Sequence, residues 1–367
     1  MKRFLFFIFL PLLLCIVGCT QEERTHSVED LSMVSSIAFD YINEDEVRMT
    51  LSIPQSTGVS EETTQNYSVN TPLIQKGFSE ISSQAGKMVS LNQLRTILFS
   101  EEYASKGDVT RTAKHFYRDP TVGNKIRLAI VKDSAEEVLK SSFPDIPSTT
   151  TYLYDLLQPQ MHTSFSPFTT LHDFINSEMD KVSHSTMPYL EKKEDSLKIE
   201  SVALFDGGQM LETIPSKESS LIQALKGKDN LAPIDITLDK GSDKEELHIE
   251  LIVSKVKINS NKKLDSPQVS IRIKLQGALK EYGGDKELSK KKELEMLQKE
   301  ISKHIEKEVE DLLEKLRKLE VDPVGFSEYF RMYHKGKWDE QLTEKVIATV
   351  EYKVSVNFDL LNTGVLK

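Results

Sequence analysis

The first nineteen residues constrain the rest of the chain more than any other stretch. Lys2 and Arg3 are followed by an apolar run of 14 residues, Phe4–Val17, and then by Gly18 and Cys19. The run is too short for a bilayer, which needs about 20 helical residues, and it matches the apolar region of a secretory signal. A small residue directly before a cysteine at that point is the lipobox of bacterial lipoproteins. We therefore expect cleavage before Cys19 and a diacylglyceryl group on its thiol, in preference to an ordinary signal peptide with an incidental cysteine.

The cysteine content limits how the exported part is held together. Cys15 and Cys19 are the only two cysteines among the 367 residues, and Cys15 lies in the expected leader. A mature chain that starts at Cys19 cannot form an internal disulfide, a cysteine metal cluster or a cysteine nucleophile. It must fold by burying apolar surface, and about 350 residues are enough for two or three domains.

The net charge argues against two classes of partner. Without Lys2 and Arg3, 45 basic residues stand against 57 acidic residues, which gives a net charge of −12. This balance disfavours binding to nucleic acid and a polybasic grip on anionic lipid. No later stretch is apolar for 18 residues, so we expect the lipid to provide the membrane bond.

Alternating helix and strand patterns predict a mixed α/β unit in the first half. Strands are predicted at 36–41 and 47–53, the second ended by Pro54, and residues 55–71 are predicted to form a flexible insertion or exposed loop because they are polar. Further elements are predicted at 73–83 (helix), 89–99 (strand, or strand plus turn), 101–107 (helix), 109–117 (helix), 126–131 (strand), 135–141 (helix capped by Asp133 or Ser134) and 169–182 (helix capped at Thr169-Thr170).

The second half predicts long strands and one long helix. A hairpin turns at Gly207-Gly208, a short helix covers 219–225, and the runs 247–258 and 269–279 are expected to pair antiparallel. Apolar residues recur every three or four positions from Leu294 to Leu319, which predicts a helix over 285–320. We favour packing of that helix on its own sheet over a coiled coil. A last strand is predicted over 346–360.

No catalytic or ligand-binding motif is present, so we predict no enzyme, no cofactor and no metal site. His162, His172 and His184 are spaced by ten and twelve residues, which matches no metal-ligand motif, and they are interpreted as surface or helix-flanking residues. Trp338, the only tryptophan, is a candidate anchor for a partner, although packing against the local turn is the favoured interpretation.

Several segments together resemble the C subunits of spore germinant receptors, the Ger(x)C lipoprotein family. Besides the lipobox Ile16-Val17-Gly18-Cys19, the similar segments are Val28–Val34, Ile97–Gly107, Phe116–Pro120, Ala203–Met210, Asp322–Phe326 and Asn362–Val365. The chain departs from the family pattern at Ser327, where we expect glycine, and at Tyr333–Gly336, which lacks the usual proline.

The resemblance implies a fold and a role. The expected fold is α+β, with three consecutive mixed α/β domains and largely antiparallel sheets after a cleaved lipoprotein signal peptide. The expected division is a signal peptide (1–18), a tether (19–30), an N-terminal domain (31–195), a small middle domain (196–240) and a C-terminal domain of long antiparallel strands and a long helix (241–367).

The implied role is a lipid-anchored, non-catalytic subunit on the outer face of the spore inner membrane. It would work with an A subunit and an integral-membrane B subunit to detect nutrients and trigger germination. The exposed side of helix 285–320 and the hairpin around Gly207 are candidate contact surfaces, unless both are plain solvent faces.

Two other functions stay open from the sequence. A solute-binding lipoprotein that captures a small nutrient directly would need a cleft with converging polar groups. The other alternative is a surface hydrolase or a chaperone, of which the absence of catalytic motifs places the hydrolase lowest.

Overall fold

The structure is a computed structural model that describes residues 27–56, 62–158, 160, 163–240, 243–334, 336 and 338–362. The lipobox and Cys19, His162 and the last residues of the segment Asn362–Val365 lie outside these ranges. Across the described ranges, no helix has both the length and the apolar character that crossing a bilayer requires.

The N-terminal half, which we define as the described residues up to Pro215, builds a large sheet covered by helices on both faces. Its elements are β1 (Leu31–Met33), β2 (Ser36–Tyr41), β3 (Val47–Ser56), β4 (Glu62–Thr71), α1 (Ile74–Ala85), β5 (Met88–Ser90), β6 (Thr96–Ser100), α2 (Glu101–Lys106), α3 (Val109–Tyr117), β7 (Arg127–Val131), α4 (Ala135–Lys140), α5 (Thr149–Leu156), α6 (Leu171–Asp180), β8 (Thr186–Lys192), β9 (Leu197–Asp206) and β10 (Gln209–Pro215).

Eight strands form this large sheet in the order β10-β9-β8-β7-β6-β2-β3-β4, and β1 and β5 form a separate small pair. The four central strands β8, β7, β6 and β2 are mutually parallel, while the strands on either side are antiparallel. Every residue of β6 and β7 is buried, as expected for parallel strands covered on both faces.

Local side-chain chemistry fixes where several helices begin. Side chains accept a hydrogen bond from the third backbone N–H of the helix at Ser100, Asp108, Ser134, Ser148, Thr170 and Asp339. Thr170 forms a full capping box with Asp173. The predicted caps at Ser134 and Thr170 are therefore confirmed.

The C-terminal half, defined as the described residues from Asn230 onward, follows a linking helix. The linking helix is α7 (Ser216–Leu225), and the further elements are β11 (Asn230–Leu231), β12 (Ile234–Lys240), β13 (Asp243–Ser260), β14 (Gln268–Tyr282), α8 (Lys291–Lys318), α9 (Glu328–Arg331), α10 (Glu340–Thr349) and β15 (Glu351–Asn362). The sheet order is β11-β13-β14-β15, with β12 also paired to β13.

The long helix α8 lies on this sheet, as predicted. Its apolar stripe is buried from Leu297 to Leu316. Three polar side chains beside the stripe accept hydrogen bonds from the free edge of β15: Gln298 from Leu360 N at 2.8 Å, Ser302 from Phe358 N at 2.9 Å and Glu306 from Val356 N at 3.1 Å. Helix α8 therefore occupies an edge that would otherwise be open to pairing with another strand.

The predicted α+β class with mainly antiparallel pairing is confirmed, while some local predictions are wrong. Residues 62–71 form strand β4, not a loop: its polar side chains pair with those of β3, as in Thr50 Oγ1–Ser68 Oγ at 3.0 Å. Strand β3 continues through Pro54 to Ser56. The last strand begins at Glu351, because the residues before it form α10, and it runs parallel to β14.

The division into domains stays a prediction, and the sheets do not follow its two internal boundaries. The hairpin β9-β10, assigned to the middle domain, pairs with β8 of the large sheet. The strands β12 and β13 on either side of residue 240 pair with each other.

Candidate functional site

A set of polar contacts joins the two halves of the described chain. On the N-terminal side it consists of Asp180–Ser185, which we call the crossing segment. Helix α6 ends there, with Lys181 in the left-handed conformation at φ 56°, which few non-glycine residues adopt.

His184 joins the crossing segment to the C-terminal half by a reciprocal pair of hydrogen bonds. Its backbone N–H donates to Asp322 O at 2.9 Å, and its ring Nδ1 accepts from the Asp322 N–H at 2.9 Å. Because Nδ1 is an acceptor, the ring proton lies on Nε2, which is 3.5 Å from Asp206 Oδ1. His184 therefore contacts both the loop that begins at Asp322 and the hairpin β9-β10.

Asp322 organises the loop that receives His184. Its carboxylate accepts hydrogen bonds from Gly325 N at 2.7 Å and Ser327 N at 2.9 Å, and the residue is only 3% exposed. Burial raises the pKa of the Asp322 carboxyl, while the backbone N–H groups of the loop favour its ionised form. Gly325 has a φ of 84°, a backbone conformation that residues with a side chain rarely adopt.

The departure from the family pattern at Ser327 is accommodated by this loop. Ser327 has φ −58° and ψ −29°, an ordinary right-handed conformation, so glycine is not required there. Its hydroxyl is buried without a hydrogen-bond partner among the described residues.

Two ion pairs extend the contact beyond His184. Arg331 Nη1 lies 2.8 Å from Asp180 Oδ1, and Lys181 Nζ lies 2.6 Å from Glu340 Oε2. Both pairs are substantially exposed, so water and salt screen them and they contribute little to stability.

Trp338 supports this contact from inside the C-terminal half. Its Nε1 donates to Thr343 Oγ1 at 2.9 Å, and the same hydroxyl donates to Lys181 O at 2.8 Å. The favoured interpretation of Trp338, packing against local structure, fits this partly buried position. We call the crossing segment, the loop Asp322–Ser327 and these partners the junction.

The hairpin around Gly207 lies beside the junction and is partly held in place. Gly207 and Gly208 have φ values of 56° and 86°, as required by a two-residue turn with two left-handed positions. Gly208 O accepts from Val109 N at 3.1 Å, and a Cβ on Gly208 would come within 2.7 Å of Thr110 Oγ1. Gly208 therefore packs on the start of α3, while Gly207 is exposed.

The second candidate surface, the exposed side of α8, adjoins the same hairpin. Lys315 Nζ on α8 lies 3.2 Å from Glu212 Oε1 on β10 and 3.0 Å from Glu218 Oε2 on α7. The structure thus brings together two surfaces that the sequence singled out separately.

The three histidines do not form a cluster in the described part of the chain. His172 contacts Tyr117 and Asn176 on the surface, whereas His184 contacts Asp322, and His162 lies outside the description. No group of three or more His, Cys, Asp or Glu side chains in the described ranges is placed to hold a metal ion.

Sequence reasoning missed the junction because its two sides are far apart in the chain. His184 and Asp322 are separated by 138 residues. The available signal was that Ala203–Met210 and Asp322–Phe326 both carry the family resemblance, and His184 contacts one residue of each. The polar contacts of His184, Lys181 and Asp180 cross from one half to the other, so the junction is an arrangement for joining the two halves.

Comparisons with known proteins cover nearly the whole chain. A family model described as "Spore germination protein N-terminal domain" matches residues 24–192, and one described as "Spore germination B3/ GerAC like, C-terminal" matches residues 200–364.

Two curated relatives align over most of their length. The spore germination protein GerQC of Bacillus cereus is 27% identical over 365 residues, covering 100% of this chain and 99% of the relative. The putative spore germination protein YfkR of Bacillus subtilis (strain 168) is 21% identical over 347 residues, covering 89% of this chain and 88% of the relative.

A solved structure supports the fold. The crystal structure of the GerBC protein superposes with a TM-score of 0.55 at 16% sequence identity, covering 89% of this chain and 97% of that one.

Proposed function

The chain belongs to the GerAC-like family of spore germination proteins, and from this premise we propose that it is the lipid-anchored, non-catalytic C subunit of a nutrient germinant receptor. The observation that carries the proposal is the ordered match of both family domains, over residues 24–192 and 200–364. Membership alone connects the chain with spore germination, while the anchor, the absence of catalysis and the A and B partners are the proposed part.

The proposed anchor is a diacylglyceryl group on Cys19. Two acyl chains are enough for stable membrane attachment, whereas one gives only marginal binding. Mass spectrometry of the amino-terminal peptide from spore membranes tests this directly. We expect a peptide that begins at Cys19 and carries the mass of the lipid, and a peptide with an unmodified Cys19 would contradict the anchor.

The proposed partners are the A subunit and the integral-membrane B subunit, at the outer face of the spore inner membrane. We assign their contact to the surface formed by the hairpin β9-β10 and the exposed side of α8. Its support is the proximity of the two elements through Lys315, and the exposure of Leu211 (47%) on β10.

Photocrosslinking in isolated spore membranes tests this surface. A photoreactive residue at Leu211 or Lys318 is expected to give adducts with a receptor subunit, and the same probe at Leu73, which is 58% exposed in the N-terminal half, is the control. Equal adducts from all three positions, or adducts only from Leu73, would refute the assigned surface.

The receptor role itself is tested in spores that lack the chromosomal copy. We expect such spores to lose the response to a nutrient and to regain it with the wild-type chain, while germination triggered without receptors is unchanged. An unaltered response to every nutrient in the deleted strain, with all other receptor genes absent, would refute the receptor role.

A further inference from the structure

Three polar residues form a straight row across the centre of the large sheet. Ser36, Thr96 and Arg127 are the first residues of β2, β6 and β7, and they are direct neighbours in the parallel register. Residues in register on parallel strands present their side chains to the same face. Their exposures are 0%, 0% and 6%, so the row is buried.

Each member of the row has a buried polar atom that finds no hydrogen-bond partner among the residues the structure describes. The atoms are Ser36 Oγ, Thr96 Oγ1 and Arg127 Nε. Buried polar atoms in native proteins nearly always have a partner, and an unpaired one destabilises the fold. The three atoms belong to residues that are neighbours in register on adjacent strands, and each of the three can donate a hydrogen bond.

Arg127 is also a buried cation without an acidic partner in the described part of the chain. Its Nη1 donates to Tyr154 O, and its Cζ lies 3.5 Å from the Tyr154 ring centroid and 5.3 Å from that of Phe168. The arginines that do form ion pairs among the described residues are Arg48, Arg317 and Arg331. A buried charge is unfavourable unless it is paired, and the aromatic rings offset only part of that cost.

The surroundings of Arg127 connect the row with the surface. Phe168 is 42% exposed, and the exposed residue Arg95 has its Cζ 5.4 Å from the same Tyr154 ring. Ligands of open α/β sheets usually lie at the carboxyl ends of the strands. This row lies at the opposite, amino ends of the strands. It is identified as a candidate site by the polar groups and the charge that have no partner within the described ranges.

We propose that this row binds the carboxylate of a small organic acid. Arg127 supplies the charge and the hydroxyls of Thr96 and Ser36 donate hydrogen bonds, while the rings of Tyr154 and Phe168 contact the apolar part of the acid. One buried guanidinium balances a single negative charge, which favours a carboxylate over a phosphate dianion. The site does not depend on the receptor role, because binding is measured on the purified chain.

Calorimetry and thermal unfolding of the purified full-length protein in detergent test the site. The probes are sodium acetate, sodium benzoate and sodium phosphate, with sodium chloride at the same ionic strength as the reference. We expect saturable binding of the two carboxylates, tighter for benzoate because of the rings. Binding of benzoate is expected to raise the unfolding temperature in proportion to the logarithm of its concentration above Kd.

Two variants and a matched control decide the role of the row. Arg127→Met is expected to weaken benzoate binding at least about tenfold, whereas Arg111→Met, which removes an exposed arginine, leaves binding unchanged. Thr96→Val keeps the β-branched shape and removes an unpaired hydroxyl. We expect it to raise the unfolding temperature of the free protein by about 2–4 °C and to weaken benzoate binding.

The outcomes are distinguishable even if Arg127→Met fails to fold, since Thr96→Val then decides. Absence of saturable carboxylate binding by the wild-type protein would overturn the proposal. So would phosphate binding as tight as benzoate binding, or full benzoate affinity in Thr96→Val. Each of these results would leave the proposed receptor role standing.

Discussion

His184 at the junction offers the sharpest structural prediction. The substitution His184→Ala removes the acceptor of the Asp322 N–H and the contact with Asp206. Asp322 is 3% exposed, so water does not readily replace the lost partner. An unsatisfied buried N–H costs about 1–3 kcal/mol, and with the lost packing of a ring that is 17% exposed we expect a total of about 2–3 kcal/mol.

The single tryptophan provides the assay. Trp338 donates a hydrogen bond to Thr343, which in turn donates one to the crossing segment. The fluorescence of Trp338 therefore reports on the junction. Urea unfolding followed by this fluorescence is expected to show a midpoint lower by about 1–1.5 M, for a urea dependence of about 2 kcal/mol per molar.

Two further variants control for trivial effects. His172→Ala removes a surface histidine and is expected to change stability by less than about 0.5 kcal/mol. His184→Gln retains a side-chain acceptor and is expected to lose less stability than His184→Ala. If His184→Ala is no more destabilising than His172→Ala, the junction does not hold the halves together as described.

Other parts of the fold yield further predictions. Burial tends to raise the pKa of Glu136, but hydrogen bonds from Arg48, Lys140 and Ser68 outweigh it and lower the pKa to about 2. The stabilisation from this carboxylate is therefore present above about pH 4.5 and lost as the pH falls toward 2. We expect Glu136→Gln to cost about 1–2 kcal/mol of unfolding free energy at pH 7 and to flatten the pH dependence of stability between about pH 2 and 4.5. Urea unfolding across this pH range is the measurement, and an unchanged pH dependence would contradict the prediction. Ile301→Ala, on the fully buried stripe of α8, is expected to cost about 2–5 kcal/mol of unfolding free energy in the same assay. Met296 on the same helix is 48% exposed, so Met296→Ala is expected to cost less than about 0.5 kcal/mol. Equal effects of the two substitutions would contradict the packing of α8 on the sheet.

Features encoded by neighbouring residues could be predicted from the sequence. The caps at Ser134 and Thr170, the turn at Gly207-Gly208 and the apolar spacing of α8 are all encoded by residue types within a short segment. The segment itself is enough to predict each of them, because the signal lies within it.

Features that depend on distant partners could not be predicted in this way. Strand β4 is polar because Ser68 and its neighbours contact Glu136 and Thr50, so its composition alone indicated a loop. Val346 and Ile347 suit a strand by composition, but the cap at Asp339 begins a helix that buries both.

The same distinction applies to the candidate sites. Cys19 is predicted by four consecutive residues and stays a prediction, since it lies outside the described ranges. The His184–Asp322 contact and the row of Ser36, Thr96 and Arg127 required the register of strands and loops that are far apart in sequence.

The central claim, a lipid-anchored receptor subunit, is tested most directly by comparing Cys19→Ala with Cys15→Ala in spores that lack the native copy. Both variants remove a cysteine from the amino-terminal region, but only Cys19 is the proposed lipid attachment site. We predict that Cys19→Ala loses both retention in the membrane fraction and the nutrient response, while Cys15→Ala keeps both. An undiminished nutrient response from a Cys19→Ala protein found in the soluble fraction would contradict the account.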